Sequence, residues 1–365
     1  MKDGTRVVRA GLPEAQQGRP FLPGPILAAP YHLRGDPAGV EYTYGRYDNP
    51  TWSAYELALS ELEGGDAVLF ASGMAAASAV LLSTLRPGDA LTLPSDCYMH
   101  VRGLAGGQIA ELGVEVTQLA TPELTPDALP ERIDLLWLET PSNPGLDLCE
   151  VAALAGGAHE RGAVVAVDNT FATPLGQQPL ALGADLSVTS ATKHLSGHAD
   201  LLLGYVAARD PERVAALRSW RTNTGAIAGP FETWLAHRSL ATLDLRLERG
   251  EANALALARL LQGREGISAL RYPGLESDPA HQLAKRQMRR FGTLLCFELG
   301  SRERAEAFLD AARLITEATS FGGVLTTAER RARWGGDDVG EGFIRVSAGC
   351  ETTEDLIADV EQALT

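Results

Sequence analysis

Cysteine, positive charge and long apolar runs are all scarce in this 365-residue chain, and each scarcity removes a class of function. The four cysteines (Cys97, Cys149, Cys296, Cys350) stand far apart, with no CxxC and no Cys/His cluster. That spacing argues against a disulfide framework or a zinc site and fits a reducing cytoplasm. Lys and Arg number 32 against 47 Asp and Glu, a net charge of −15. A nucleic-acid binder needs a basic face to neutralise phosphates, so nucleic acid is not an expected partner, and neither is an anionic membrane surface. No apolar run reaches the length of a membrane span; 163–168 and 201–207 have the length of strands. The N-terminal segment lacks the apolar stretch of a secretory leader, so a cytoplasmic location is expected. No G-x-G-x-x-G follows a predicted strand, which disfavours a nicotinamide-dependent dehydrogenase.

What is present is ordinary for a folded protein: 45% apolar and 22% charged residues, enough apolar surface to exclude disorder over most of the chain. The length suits two domains. Residues 1–50 hold seven of the 20 prolines and no sustained apolar period, so they are expected to form an extended arm lying on the body or on a neighbouring subunit. From 51 the pattern changes. TWSAYELALSELEG has helical spacing and stops at Gly64-Gly65. DAVLF, ALTL, VEVTQL, DLLWLE, AVVAVD, ADLSVTS and LLLGYVAA then read as strands, mostly separated by helical stretches. Near-continuous apolar strands alternating with helices predict an α/β domain over 51–230 with a mostly parallel sheet of seven strands, covered on both faces. One long helical stretch over 230–262 is expected to link it to a smaller α+β domain, giving a C-terminal unit of 231–365.

Three kinds of residue suggest chemistry. Lys193 follows a predicted strand amid hydroxyl residues, with Ser190 and Thr192 beside it; alone, it reads better as a surface-loop lysine. Asp168 ends the apolar run AVVAVD, which places it at the carboxyl edge of the sheet, where open α/β sheets bind ligands; alone, it could cap a turn. Ser72-Gly73-Met74 opens a predicted helix directly after a strand, where free N–H groups meet an anion. Together they match what pyridoxal 5′-phosphate (PLP) requires: an amine for its aldehyde, an acid for its ring nitrogen and donors for its phosphate.

The chain resembles the Cys/Met-metabolism family of PLP enzymes, the trans-sulfuration group. The resemblance is carried in the family's order by YTYGRYDNPT (42–51), FASGMAA (70–76), LETPSNPGL (138–146), VAVDNTFATP (165–174), SVTSATKHLSGHAD (187–200), HRSLATLDLR (237–246), ATSFGG (318–323) and FIRVSAGCE (343–351). It implies the type I PLP-dependent transferase fold. It implies Lys193 as the Schiff-base lysine and proton carrier, Asp168 as the partner of the pyridine nitrogen, and Gly73, Met74, Ser190 and Thr192 around the phosphate. Tyr98 would stack on the cofactor ring, and Asn143 would lie by the ring hydroxyl and the substrate carboxylate. Arg345 would clamp that carboxylate, and Ser320 would position lysine and substrate. Tyr44 and Arg46 would reach the phosphate of a neighbouring subunit in a homotetramer, a dimer of dimers. The implied activity is γ-elimination of cystathionine. γ-Replacement on an acylated homoserine, methionine γ-lyase or β-lyase activity, and an inactive scaffold of the same fold are the alternatives. Departures fall in three places. Met99-His100-Val101 follows Tyr98 where the family has a Gly-Gly-Thr-like turn, and Thr319 precedes Ser320 where γ-lyases of the animal and yeast type have Glu. Leu325-Thr326-Thr327 and AERRARWGGDDVGEG replace the family's usual residues between Ser320 and Arg345, a stretch expected to border the substrate pocket.

Overall fold

The computed structural model describes residues 1–365. Seven strands make the larger sheet: β1 (Asp66–Phe70), β2 (Ala90–Pro94), β3 (Glu115–Leu119), β4 (Leu135–Glu139), β5 (Val164–Asp168), β6 (Leu186–Thr189) and β7 (Gly204–Ala208). Their order is β1-β7-β6-β5-β4-β2-β3, and only β7 runs against its neighbours. Parallel neighbours share one carboxyl edge, so the ends of β4, β5 and β6 open onto the same side of the molecule. β2 and β4 are buried along their whole length, the pattern of strands covered on both faces.

Helices α1 (Asp3–Arg9), α2 (Pro50–Glu63), α3 (Gly73–Thr84), α4 (Met99–Leu104), α5 (Val151–His159), α6 (Thr173–Gly176) and α7 (Pro211–Thr224) surround that sheet. The start of α2 is written in its residues. Asn49 Oδ1 accepts the Thr51 N–H at 2.8 Å, Pro50 occupies the first turn where its missing N–H costs nothing, and Gly64 ends the helix at φ +72°. Residues 1–50 are not uniformly extended. Val7 and Ala10 are buried with Trp52, Tyr55 and Leu247, so the first helix belongs to the body and the irregular chain begins at Gly11.

The helical stretch 230–262 is two helices, α8 (Pro230–Leu240) and α9 (Leu243–Leu261), broken at Ala241-Thr242. Thr242 Oγ1 donates to the Ser239 carbonyl at 3.0 Å, a side-chain bond that competes with helix continuation. Beyond it come β8 (Ser268–Arg271), α10 (His281–Gln287), β9 (Leu294–Glu298), α11 (Arg302–Ala311), β10 (Thr316–Glu317), β11 (Thr327–Arg330), β12 (Phe343–Ser347) and α12 (Thr353–Ala363). The smaller sheet has order β10-β11-β12-β9-β8 and packs on α9, α11 and α12 through Leu257, Phe297, Phe308 and Leu356. β10 and β11 have no counterpart in the sequence reading: two residues are too few to show a period, and TAER puts one charged residue on each face, Glu329 beside Thr327 and Arg330 beside Ala328.

Candidate active site

The carboxyl ends of the parallel strands and the inner edge of the smaller sheet enclose a cavity of about 300 Å³. It is lined by ten of the residues expected from sequence: Gly73, Met74, Tyr98, Asn143, Asp168, Ser190, Thr192, Lys193, Ser320 and Arg345. Tyr44 and Arg46 do not reach it. They lie in the N-terminal segment, with Tyr44 exposed and Arg46 donating to the Thr222 carbonyl at 2.7 Å.

Lys193 follows β6 in a tight loop whose carbonyls are held from behind. Arg246 of α9 donates to the His194 carbonyl at 2.5 Å and to the Leu195 carbonyl at 3.2 Å. The lysine Nζ donates to Ser320 Oγ at 2.6 Å and stands 5.0 Å from the centre of the Phe321 ring. Burial, reinforced by the Arg345 guanidinium, lowers its pKa to about 8. Ser320 holds φ +82°, a left-handed conformation uncommon for a side-chain-bearing residue, and this turns its hydroxyl to the lysine.

Asp168 ends β5, with Oδ1 accepting the Thr170 N–H at 2.9 Å; Thr170 Oγ1 in turn accepts the Ser190 N–H at 2.9 Å. Burial raises its pKa, and Lys193 is among the groups opposing the rise. Directly across the ladder, Glu139 ends β4 and is paired in register with Asp168. Burial first and Asp168 second push the Glu139 carboxyl well up, while its Oε2 accepts the Tyr98 N–H at 2.7 Å. Glu139 was not singled out from sequence, although it ends DLLWLE just as Asp168 ends AVVAVD, so the strand-end rule covers both.

At the far end of the cavity α3 points its N-terminus inward. Ser72 Oγ caps the Ala75 N–H at 3.1 Å, leaving the first N–H groups of the helix without an intrahelical acceptor. A Cβ placed on Gly73 would lie 2.6 Å from Ser190 Cβ and 2.8 Å from Ser190 Oγ, so only glycine permits this cradle. Thr192 lines the cavity, but its hydroxyl exchanges hydrogen bonds with the Leu203 backbone: it donates to the carbonyl at 3.1 Å and accepts from the N–H at 2.9 Å.

On the opposite wall Arg345 of β12 is buried. It donates to Asn143 Oδ1 at 2.7 Å, to the Ser320 carbonyl at 3.2 Å and to Glu329 Oε1 at 2.5 Å. Glu351, at the end of the same FIRVSAGCE segment, does not pair with Arg345; its carboxylate accepts from the Thr326 N–H and hydroxyl at 2.6 and 2.7 Å. Arg331 also lines this wall. The sequence showed Arg330, Arg331 and Arg333 as a cluster without showing which one turns inward.

An amine of lowered pKa, an acid at a strand end, a glycine cradle at a helix N-terminus and a buried guanidinium form a set that fits PLP with an amino-acid substrate. The profile of Cys/Met-metabolism PLP-dependent enzymes matches residues 26–365. The chain belongs to that family. It is 56% identical, over 99% of its length and 93% of the relative's, to a Streptomyces coelicolor protein provisionally named a cystathionine gamma-lyase. It is 38% identical to the cystathionine gamma-synthase of Escherichia coli over 99% of this chain and 97% of that one. The crystal structure of cystathionine gamma-synthase from Xanthomonas oryzae in complex with cystathionine superposes with a TM-score of 0.95 at 35% identity, covering 100% of this chain and 98% of the other. PLP is therefore the cofactor, and the fold is that of the mixed α/β PLP enzymes. The family comprises lyases and transferases of carbon–sulfur metabolism, and its members act on amino acids. No helix is long and apolar enough to cross a membrane.

Proposed function

We propose that this protein is a cystathionine gamma-lyase, converting cystathionine and water to cysteine, 2-oxobutanoate and ammonia. The observation that carries the reading is the convergence of Lys193, Asp168 and Arg345 on one cavity in a chain 56% identical to a relative of that name. In this reading PLP, when bound, supplies the electron sink for charge developing at the substrate α-carbon. Asp168 faces the ring nitrogen; a cationic nitrogen placed there would hold ionised the carboxyl that burial otherwise disfavours. Gly73, Met74 and Ser190 receive the phosphate, with Thr192 able to join once its hydroxyl rotates from Leu203.

Arg345 and Asn143 hold the substrate α-carboxylate, a planar two-pronged task that arginine performs and lysine does not. With PLP bound, Lys193 Nζ would take the α-proton, return it to the cofactor-bound substrate so that the amine is neutral again, then take a β-proton and hand it to the departing γ-sulfur. A pKa near 8 leaves a usable fraction of the amine neutral at pH 7 to 8. Ser320 Oγ keeps that amine in place, and Tyr98 closes one side of the ring site. Tyr44, exposed, and Arg46, half-buried against the Thr222 carbonyl, both remote from their own cavity, serve a neighbouring subunit in a homotetramer, and the enzyme works in the cytoplasm.

γ-Replacement on an acylated homoserine is the second reading, favoured by the gamma-synthase relatives. Purified holoenzyme incubated with cystathionine, and separately with O-succinyl- or O-acetylhomoserine plus cysteine, decides between them. 2-Oxobutanoate from cystathionine is the expected product. Efficient cystathionine formation with little elimination would transfer the assignment to the synthase.

A further inference from the structure

The segment that departs from the family pattern, 324–342, forms the substrate side of the cavity through a buried chain of charges. β11 runs antiparallel to β12 with Glu329 directly opposite Arg345. Glu329 Oε1 accepts from two guanidiniums at once, Arg345 Nη2 at 2.5 Å and Arg331 Nη1 at 2.9 Å, and Oε2 accepts the Trp334 indole N–H at 2.9 Å. Arg331 then donates twice to Asp337 Oδ2, at 3.1 and 2.5 Å, and Asp337 Oδ1 accepts from Arg102 Nη2 at 3.2 Å. Arg345, Arg331 and Glu329 are 3%, 4% and 1% exposed.

Arg333, itself paired with Glu317, stands 3.9 Å from Glu329 Oε2, so four guanidiniums in this array face three carboxylates. Buried charges persist where they are paired; here every guanidinium touches a carboxylate, yet the cations outnumber the acids by one because Glu329 and Asp337 are shared. Both Arg331 and Arg345 border the cavity, so the excess lies where a substrate binds. A buried acid beside a carboxylate site would repel the ligand if it were not outnumbered; here it is outnumbered, and its single oxygen fixes two cations edge to edge.

We propose that Glu329 is the positioning residue of the substrate-carboxylate site, locking Arg345 and Arg331 side by side at the cavity wall with Asp337 and Arg102 bracing the far side, so that an amino-acid carboxylate completes the charge balance. This rests on the reading of Arg345 as the carboxylate clamp. The segment 327–337 is then a specificity element for ligands carrying an α-carboxylate, built from residues outside the family's usual pattern.

The test is calorimetric binding of glycine and of glycinamide to holoenzyme, which reads affinity without turnover. The ratio of the two dissociation constants isolates recognition of the carboxylate. In Glu329→Gln the preference for glycine should fall about tenfold to hundredfold, the worth of a hydrogen bond to a charged group, while glycinamide binding stays within about twofold. Glu329→Asp keeps the charge but cannot bridge both guanidiniums; it covers the case in which the glutamine variant does not fold, and should lose part of the preference. Should either folded variant keep the wild-type ratio while Arg345→Ala abolishes it, the positioning role is wrong and the clamp stands. An unchanged ratio in Arg345→Ala would overturn the clamp and the inference together.

Discussion

The two walls of the cavity are built on opposite physical principles. The cofactor wall stands on β4, β5 and β6, whose buried Leu136, Leu138, Val165, Val167 and Val188 hold the strand ends by apolar packing, with functional groups only at the last residues. The opposite wall stands on β11 and β12 and is held by ion pairs among Arg345, Glu329, Arg331 and Asp337. Apolar packing is itself indifferent to pH and can be cut into one residue at a time; what titrates on this wall is confined to Glu139, Asp168 and Lys193 at and beyond the strand ends. A wall of coupled buried charges depends on every member, since removing one leaves another unpaired.

The largest effect should come from the cofactor wall. Lys193→Ala should lower turnover about a thousandfold or more and remove the visible band of an imine-bound cofactor, as steady-state kinetics and absorbance spectra would show. Full turnover in that variant would end the assignment. On the opposite wall, Arg345→Ala should cost about a hundredfold to a thousandfold in kcat/KM, expressed mainly in KM. Arg345→Lys should recover only part of it.

Stability separates the walls in kind. Leu138→Ala should cost about 2–5 kcal/mol by leaving a cavity, equally at pH 7 and pH 4. Glu329→Gln should cost about 3 kcal/mol at pH 7 by leaving the buried Arg345 guanidinium without a carboxylate, while Arg331 keeps Asp337. Burial opposes ionisation of Glu329, but Arg345, the Trp334 indole and Arg331 outweigh it and hold the carboxyl below its usual range. A carboxyl depressed by folding stabilises the native state above its unfolded pKa and loses that contribution as pH falls through its folded value. Thermal melts should therefore show the glutamine penalty shrinking as the solution is acidified below the ordinary glutamate range, while the Leu138→Ala penalty holds. Equal pH behaviour of the two variants would erase the contrast.

The smallest effect concerns Lys193 in cofactor-free protein. Its pKa falls from 10.5 in the unfolded chain to about 8 in the folded one, so between those values the unfolded state carries the extra proton and stability rises with pH. Pulse labelling with an amine-directed reagent should show Lys193 reacting with a midpoint near pH 8. A midpoint near 10.5 would mean the amine is not desolvated.

The same contrast explains what could be read from the letters. The cofactor wall is local: a strand, then Asp168 or Lys193, a few residues that announce themselves as apolar run and terminus. Ser72-Gly73 carries its own cap and cradle. The opposite wall is assembled from residues far apart in sequence, Asn143 reaching Arg345 and Arg102 reaching Asp337, so no window of the chain contains it. β11 escaped notice because its buried faces are charged, and Glu329 with it. The break between α8 and α9 escaped because apolar spacing runs through it, whereas one threonine hydroxyl ends the helix. The helix α1 escaped because seven residues are too short to show a period. Glu139 was legible by the rule that found Asp168.

The chain holds only two lysines besides Lys193, Lys2 and Lys285, both exposed. That makes one measurement decisive. Holoenzyme reduced with borohydride and mapped by peptide mass spectrometry should carry a single pyridoxyl group on Lys193. An adduct on Lys2 or Lys285, or no adduct in protein that still turns over its substrate, would contradict the account at its root.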